Sequence, residues 1–223
     1  MISELWPLFG LRLTTPRLEL RLPREADFAG LCAAAARGIH DDGFMPFTFP
    51  WSNLPEPART RGALQHHWRS WANWQPEDWA LHLLVVHDGT PIGSQEIAAR
   101  NFAARREVST GSWLERAHQD RGLGTEMRAA VLHLAFVALN ARWAVSAAFT
   151  DNPRSLAVSR KLGYRDDGQE IPDNPGTPPR MLQRLRLARL DWQAHRRVPV
   201  EIHGFEACRT MFGLGDERPR GLT

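Results

Sequence analysis

A chain of 223 residues can bury a sizeable core, and one enlarged domain competes with a domain plus an appendage. It is 43% hydrophobic and 24% charged, with no apolar run near the roughly 20 residues of a membrane-spanning helix, which predicts a globular chain and argues against a helical membrane protein. Twenty-eight basic residues against 25 acidic ones leave a net charge of +3, too balanced for a nucleic-acid footprint. The two cysteines, Cys32 and Cys208, lie far apart, which argues against a disulfide scaffold or a zinc site and predicts two buried small hydrophobes.

The opening MISELWPLFG carries Glu4 and lacks both a basic start and a long apolar stretch, so no signal peptide and a cytoplasmic location are expected. Lys161 is the single lysine, which makes lysine-based covalent catalysis an unpromising chemistry. From Leu11 to Leu22, Leu18, Leu20 and Leu22 alternate with Arg17, Glu19 and Arg21, the period-two pattern of a half-buried strand. Arg24 to Arg37, alanine-rich with Phe28, Leu31 and Ala35 on one face, predicts a helix stopped near Gly38. Periodicity is lost from Ile39 to Pro57, where Met45, Phe47, Phe49 and Trp51 stand among four prolines; an ordered apolar loop is expected.

Arg59 to Gln75 returns to helical spacing, and Ala80 to Val86 forms a nearly continuous apolar strand. Asp88-Gly89 signals a hairpin, the chain returns through Pro91 to Ala99, and Glu107 to Leu114 adds a third strand in meander order. Gly122 to Leu139 then sets Leu123, Met127, Val131, Leu134 and Ala138 on one stripe of a long helix. Trp143 to Phe149 is another strand, and Asp151-Asn152-Pro153 opens a short helix that runs to Lys161 and breaks at Gly163. Met181 to Leu187 is a final strand, Leu190 to Arg197 a turn or two of helix, and Val198 to Leu214 a strand-like piece with an apolar set at Phe205, Met211 and Phe212.

Gln119-Asp120-Arg121-Gly122-Leu123-Gly124-Thr125 sits between a strand and a long amphipathic helix. Its glycines permit a tight turn, and free N–H groups at the helix start suit phosphate oxygens. The stretch is not a dinucleotide-binding fingerprint, because Met127 stands where the third glycine would be, and it is not a P-loop. Asn152-Pro153-Arg154-Ser155 with Val158-Ser159-Arg160-Lys161-Leu162-Gly163-Tyr164 follows downstream. The two elements together resemble the GNAT superfamily of acyl-CoA-dependent N-acyltransferases, in its RimJ/RimL-type branch. The resemblance covers roughly 11–192, including the opening Arg12-Leu13-Thr14-Thr15-Pro16-Arg17, and leaves 193–223 as a C-terminal extension of one domain.

What the resemblance implies is a mixed α/β (α+β) fold. Its mostly antiparallel sheet is splayed between the fourth and fifth strands to admit pantetheine, with helices on both faces. It also implies that Ser112, Trp113 and Leu114 hold the pantetheine arm by strand-like hydrogen bonds, and that Gln119 and Gly122, Leu123, Gly124 and Thr125 form the pyrophosphate loop. Ser155 would reach the phosphate region, Lys161 and Arg160 either the outer phosphate or solvent, and Asn152 either the coenzyme or only its own helix as a cap. Many relatives carry a tyrosine two residues before the motif's lysine, suited to protonating the departing thiolate. Ser159 occupies that position here and is the candidate acid, relaying through water, while Tyr164, the single tyrosine, falls where core packing is expected.

For the base, strand order favours Glu96, with Gln95 facing the opposite side. An α-amine near pKa 7.8 is roughly 14% neutral at pH 7 and a lysine amine roughly 0.04%, so an α-amine needs less help from such a base. The histidines His66, His67, His82 and His87 show no grouping with carboxylate or cysteine along the chain and are expected to be surface or packed residues. Trp68, Trp71 and Trp74 fit either an acceptor groove or, for the first two, the core. The arginine-rich stretch from Arg180 to Arg197 reads as a solvated strand face.

A narrower resemblance, to an actinobacterial GNAT group that includes a mycobacterial succinyltransferase, rests on several short stretches. They are Met45-Pro46-Phe47 with Pro50-Trp51, Gly111-Ser112-Trp113-Leu114, Gly124 through Val131, and the tail from Asp191-Trp192 through Gly204-Phe205. It implies succinyl-CoA ahead of acetyl-CoA as donor, with the loop Ile39 to Trp51 and His40 forming the larger pocket. The expected reaction is direct attack of an amine on the thioester, without a covalent enzyme intermediate, in a homo-oligomer formed through the aromatic loop and the tail. A non-catalytic acyl-CoA-binding protein and an N-terminal or small-amine acetyltransferase are the competing expectations.

Overall fold

Asp88 and Gly89 both adopt positive φ, 48° and 74°, the conformation a tight two-residue hairpin turn requires. They join β3 (Asp78–His87) to β4 (Thr90–Arg100), the longest pair of a nine-stranded sheet. The computed structural model describes residues 2–173 and 178–215. In chain order the helices are α1 (Ile2–Leu5), α2 (Asp27–Ala36), α3 (Ala58–Ala72), α4 (Phe102–Arg105), α5 (Leu123–His133), α6 (Pro153–Lys161), α7 (Arg189–His195) and α8 (Phe205–Cys208). The remaining strands are β1 (Arg12–Thr14), β2 (Leu18–Arg21), β5 (Glu107–Leu114), β6 (Trp143–Phe149), β7 (Arg165–Glu170), β8 (Leu182–Ala188) and β9 (Glu201–His203).

The strand order is β7-β8-β6-β5-β4-β3-β2-β1-β9, antiparallel throughout except for the β5–β6 pair. That parallel ladder lasts three residue pairs, from Glu107↔Trp143 to Ser109↔Val145, and beyond it the two strands part. The opening lies where it was expected, between the strands read at Glu107 to Leu114 and Trp143 to Phe149, which become the fifth and sixth because the segment 11–22, read as one strand, holds two. The segment 11–22 is not one strand: Pro16, which cannot donate to a ladder, lies in a turn that folds it into the antiparallel pair β1 and β2. The period-two pattern missed β7 altogether, because Arg165-Asp166-Asp167-Gly168-Gln169-Glu170 is an edge strand exposed along its length.

Helices cover both faces. Leu81, Leu83 and Val85 of β3 point into the main core with Met127, Val131 and Leu134, whereas Leu84 and Val86 point to Phe28 and Leu31 of α2 and to Leu64 and Trp71. The long helix predicted to Leu139 is α5 plus a π-type turn at Leu134–Ala138. The tail joins the sheet: β9 pairs with β1, and Phe205, Cys208 and Phe212 enter the core. Trp74 Nε1 donates to the Met211 carbonyl at 2.8 Å, so Trp74 is core, Trp71 is packed against it, and Trp68 is half exposed. The prediction of a buried Cys32 fails, since Cys32 is partly exposed and lines a cavity, while Cys208 is buried.

Candidate active site

The parting of β5 and β6 opens into a cavity of about 1160 Å³, walled on the sheet side by Thr110 to Leu114 and Ser146 to Ala148. Those strand ends have left the β5–β6 ladder while staying paired with β4 and β8 on their other sides. The aromatic loop closes the outer side: Phe47 packs on Trp51 at 5.4 Å between ring centroids and Trp51 on Trp113 at 5.7 Å. Arg180 Nη1 donates to the Met45 carbonyl at 2.5 Å and ties the loop to the far side of the cavity. The arginine-rich stretch is otherwise paired in place, with Arg186 on Glu107 and Arg184 on Glu170.

At one end of the cavity lies the start of α5. Gly122 caps it at φ +80°, a left-handed conformation natural to glycine, and Gly122, Gly124 and Thr125 line the wall. A Cβ at Gly124 would meet nothing within 4 Å, so the backbone there faces open space. Leu123 contributes backbone only, since its side chain is 1% exposed and lies in the core. Gln119 braces the loop by donating to the carbonyls of Ile39 (2.6 Å) and Leu114 (2.8 Å). Asn152 caps α6 by accepting from Ser155 N at 3.1 Å, and Asn152, Ser155 and Lys161 all line the cavity. Arg160 turns away to Asp166, and Arg154 lies on the wall beside Asp120 at 3.3 Å.

Glu96 lies on the wall opposite, with its side chain 34% exposed. Cross-strand partners share a sheet face, so Glu96, His82 and Gly111 lie together on the α2–α3 side, whereas Gln95 and Ser112 lie on the α5 side. Gln95 is fully buried, donating to the Gly111 and Glu96 carbonyls, as its opposite facing predicts. His82 Nδ1 stands 3.3 Å from Glu96 Oε2, and His66 of α3 stacks edge-on to His82 at 4.3 Å. The expectation that these histidines lack a carboxylate neighbour is therefore overturned: His66, His82 and Glu96 bring ligand atoms within 4.8 Å of one another. Three separate segments converge there, and chain spacing carried no sign of it.

Burial raises the Glu96 carboxyl above the usual carboxylate range. Burial also pushes His82 down to about 3 and His67 down to about 4, helped by the neighbouring histidines, so both imidazoles are neutral at pH 7. A carboxylate with raised affinity for a proton, beside neutral imidazoles, is suited to taking a proton from an ammonium group that enters the cavity. Cys32 is the cavity's one cysteine among the described residues, and burial raises its thiol, so it is held as a thiol rather than a nucleophilic thiolate.

Ser159 and Arg128 complete the site on the α5 side. The Ser159 hydroxyl is fully buried and off the cavity wall; it donates to the Ser155 carbonyl at 3.2 Å and accepts from Arg128 Nη1 at 2.7 Å. Arg128 Nη2 donates to Ser112 Oγ at 3.2 Å. Tyr164 is core, as expected, within 3.3 Å of Thr110 Oγ1.

A splayed mixed sheet, a glycine-rich helix start facing open space and a carboxylate on the wall of the same cavity define an acyltransferase of the GNAT type. Residues 17–165 match the family described as Acetyltransferase (GNAT) domain, and the chain belongs to that family, whose cosubstrate is acetyl-coenzyme A. Among solved structures it is similar to Mycobacterium smegmatis RimJ in complex with CoA-disulfide, at 19% identity and TM-score 0.67, over 85% of this chain and 94% of that one. It is similar also to a RimL ribosomal-protein α-N-acetyltransferase in complex with coenzyme A, at 17% identity and TM-score 0.61, over 78% and 95% of the two chains. A chimeric spermidine N-acetyltransferase, SpeG from Vibrio cholerae, aligns at 13% identity and TM-score 0.60, over 79% and 98%. No helix among the described residues is long and apolar enough to cross a membrane.

Proposed function

We propose that the protein transfers a succinyl group, in preference to an acetyl group, from acyl-coenzyme A to an amine by direct attack. The observation that carries the transfer reaction is Glu96 on the wall of the cavity that also holds the start of α5, on the opposite face of the sheet. The donor's pyrophosphate suits the N–H groups of Leu123, Gly124 and Thr125, with Gly122 making the turn; its pantetheine arm suits the edge of β5 at Ser112 to Leu114, past the end of the β5–β6 ladder. Lys161, Arg154 and Ser155 are the polar groups nearest the phosphate end. Glu96 takes the amine's proton, the amine nitrogen bonds to the thioester carbon, and the carbon–sulfur bond breaks with its electron pair leaving on sulfur. Cys32, kept as a thiol, forms no acyl-enzyme.

The succinyl reading is supported by the size of the cavity and by a wall that mixes aromatic residues with His40 and Arg59, since a second carboxylate must be paired or solvated. An α-amine of a peptide or a small amine is the acceptor class that asks least of a single carboxylate base. The core 11–192 and the extension 193–223 act as one domain in the cytoplasm, and the exposed Phe49 and Trp68 favour a homo-oligomer. Calorimetry with acetyl-CoA, succinyl-CoA and free coenzyme A, followed by a thiol-release assay over peptide α-amines and polyamines, tests the reading. Tighter succinyl-CoA binding with turnover supports it; binding without turnover across the panel would leave a non-catalytic binding protein, and no binding would overturn the donor.

A further inference from the structure

Arg128 is a guanidinium without a counter-ion among the described residues. It is 5% exposed, yet its partners among the described residues are two hydroxyls, Ser159 Oγ and Ser112 Oγ, and its buried Nε has no hydrogen-bond partner. Among the described residues no carboxylate lies within ion-pair distance of it. The Tyr164 phenol is a neighbouring ionisable group, and burial keeps that phenol in its neutral form. Burying an arginine unpaired costs several kcal/mol, so a chain retains one where an anion arrives to match it.

Its position indicates which anion. Ser112 is the register partner of Gln95, one residue along β5 from Gly111, which faces Glu96. Arg128 therefore stands on the cavity wall level with the proposed base, on the opposite sheet face, well inside α5 from the phosphate-binding turn at Gly122. A charge there meets the reacting end of the donor rather than its nucleotide end.

We propose that Arg128 is an anion receptor for the reacting end of the acyl donor, with Ser159 and Ser112 holding its guanidinium in place. The inference rests on the donor assignment above. Two sources can supply the single negative charge: the coenzyme A thiolate released as the acyl group departs, or the terminal carboxylate of a dicarboxylic acyl group. The first explains how the reaction proceeds with Ser159 in place of a tyrosine.

The test needs no acceptor. Wild type, Arg128→Met and Arg128→Lys are titrated with free coenzyme A and with S-methyl-coenzyme A, which cannot ionise, from pH 6 to pH 10, and with succinyl-CoA and acetyl-CoA at pH 7. If the thiolate is the anion, free coenzyme A gains at least about tenfold over the S-methyl form as pH rises in wild type and in Arg128→Lys, and nothing in Arg128→Met, since about one pKa unit is tenfold. If the carboxylate is the anion, a preference for succinyl-CoA of at least about tenfold disappears in Arg128→Met and survives in Arg128→Lys. Either result supports the proposal. Arg128→Met is expected to melt no lower than wild type, because it removes a buried unpaired charge. Unchanged charge discrimination in Arg128→Met, or a lower melting temperature with neither preference present in wild type, would overturn it. Binding of S-methyl-coenzyme A by wild type separates this failure from failure of the donor assignment itself.

Discussion

Arg17 and Glu126, 109 residues apart in the chain, join at 2.6 Å and lock the turn between β1 and β2 onto the first turn of α5. Glu126 is buried, and it accepts further from Thr15 Oγ1 at 2.7 Å and from the Arg17 backbone N–H at 3.0 Å, while Arg17 Nη1 donates to the Arg121 carbonyl at 3.0 Å. The carboxylate therefore compensates the positive end of the helix, and the arginine pins the loop that leads into it.

Arg17→Met should consequently weaken both fold and cradle. It leaves Glu126 with backbone and hydroxyl partners only, at a cost of about 1–3 kcal/mol. Urea denaturation should show that loss, and calorimetry a drop in coenzyme A affinity beyond what an unpinned Arg121 carbonyl far from a ligand would give.

Gly124→Ala separates stability from binding. The added methyl meets nothing within 4 Å and alanine is the better helix former, so the free protein should gain about 0.5–1 kcal/mol. The same methyl occupies the space a pyrophosphate would take, and coenzyme A affinity should fall by about tenfold or more, roughly 1.4 kcal/mol. Unchanged affinity in isothermal titration would place the phosphates elsewhere.

Glu96→Gln should abolish most turnover while leaving coenzyme A binding intact, a loss of about 10²–10⁴-fold in kcat/KM. Because burial raises the Glu96 carboxyl, its ionised fraction, and with it kcat/KM, should climb with pH to a midpoint above the ordinary carboxylate value. A rate that is flat from pH 4 to pH 8 once the acceptor's own ionisation is divided out would assign the proton to another group.

Three buried histidines predict how the fold responds to acid. His67 and His133 are held down at about 4 and His82 at about 3, all by burial first, while an unfolded histidine titrates near 6.5. The folded pKa values are depressed, so in this window the unfolded chain binds more protons, and the contribution these groups make is present above pH 6.5 and lost as pH falls towards 3–4. Chemical denaturation at stepped pH should show stability declining through that interval, and His133→Phe should flatten the decline.

Much of the fold was legible because its signals are local. Leucine alternation in β2, Asp88-Gly89, Asn152 before Pro153 and the stripe from Leu123 to Leu134 each act within one turn or one strand, and each appears where its spacing places it. The edge strand β7 was illegible for the same reason: exposed on both sides, it carries no alternation, and only pairing with β8 makes it a strand.

The motifs by themselves determined the class of protein, the glycine-rich start of α5 and Glu96 as the carboxylate to watch. Tertiary structure alone decided what Glu96 stands beside. An unbroken ladder from the His87–Thr90 pair at the turn would set His82 opposite Gln95; a bulge between Val85 and Val86 shifts the register by one residue and puts His82 opposite Glu96. Packing of α3 over that face then brings His66 within 4.3 Å of His82. Arg128 is the other case: no local pattern marks it, and only the docking of α5 and α6 on the sheet buries it between Ser112 and Ser159. Period and propensity reach a few residues along the chain, whereas a one-residue register shift and the burial of a charge are set by segments that meet only in the folded molecule.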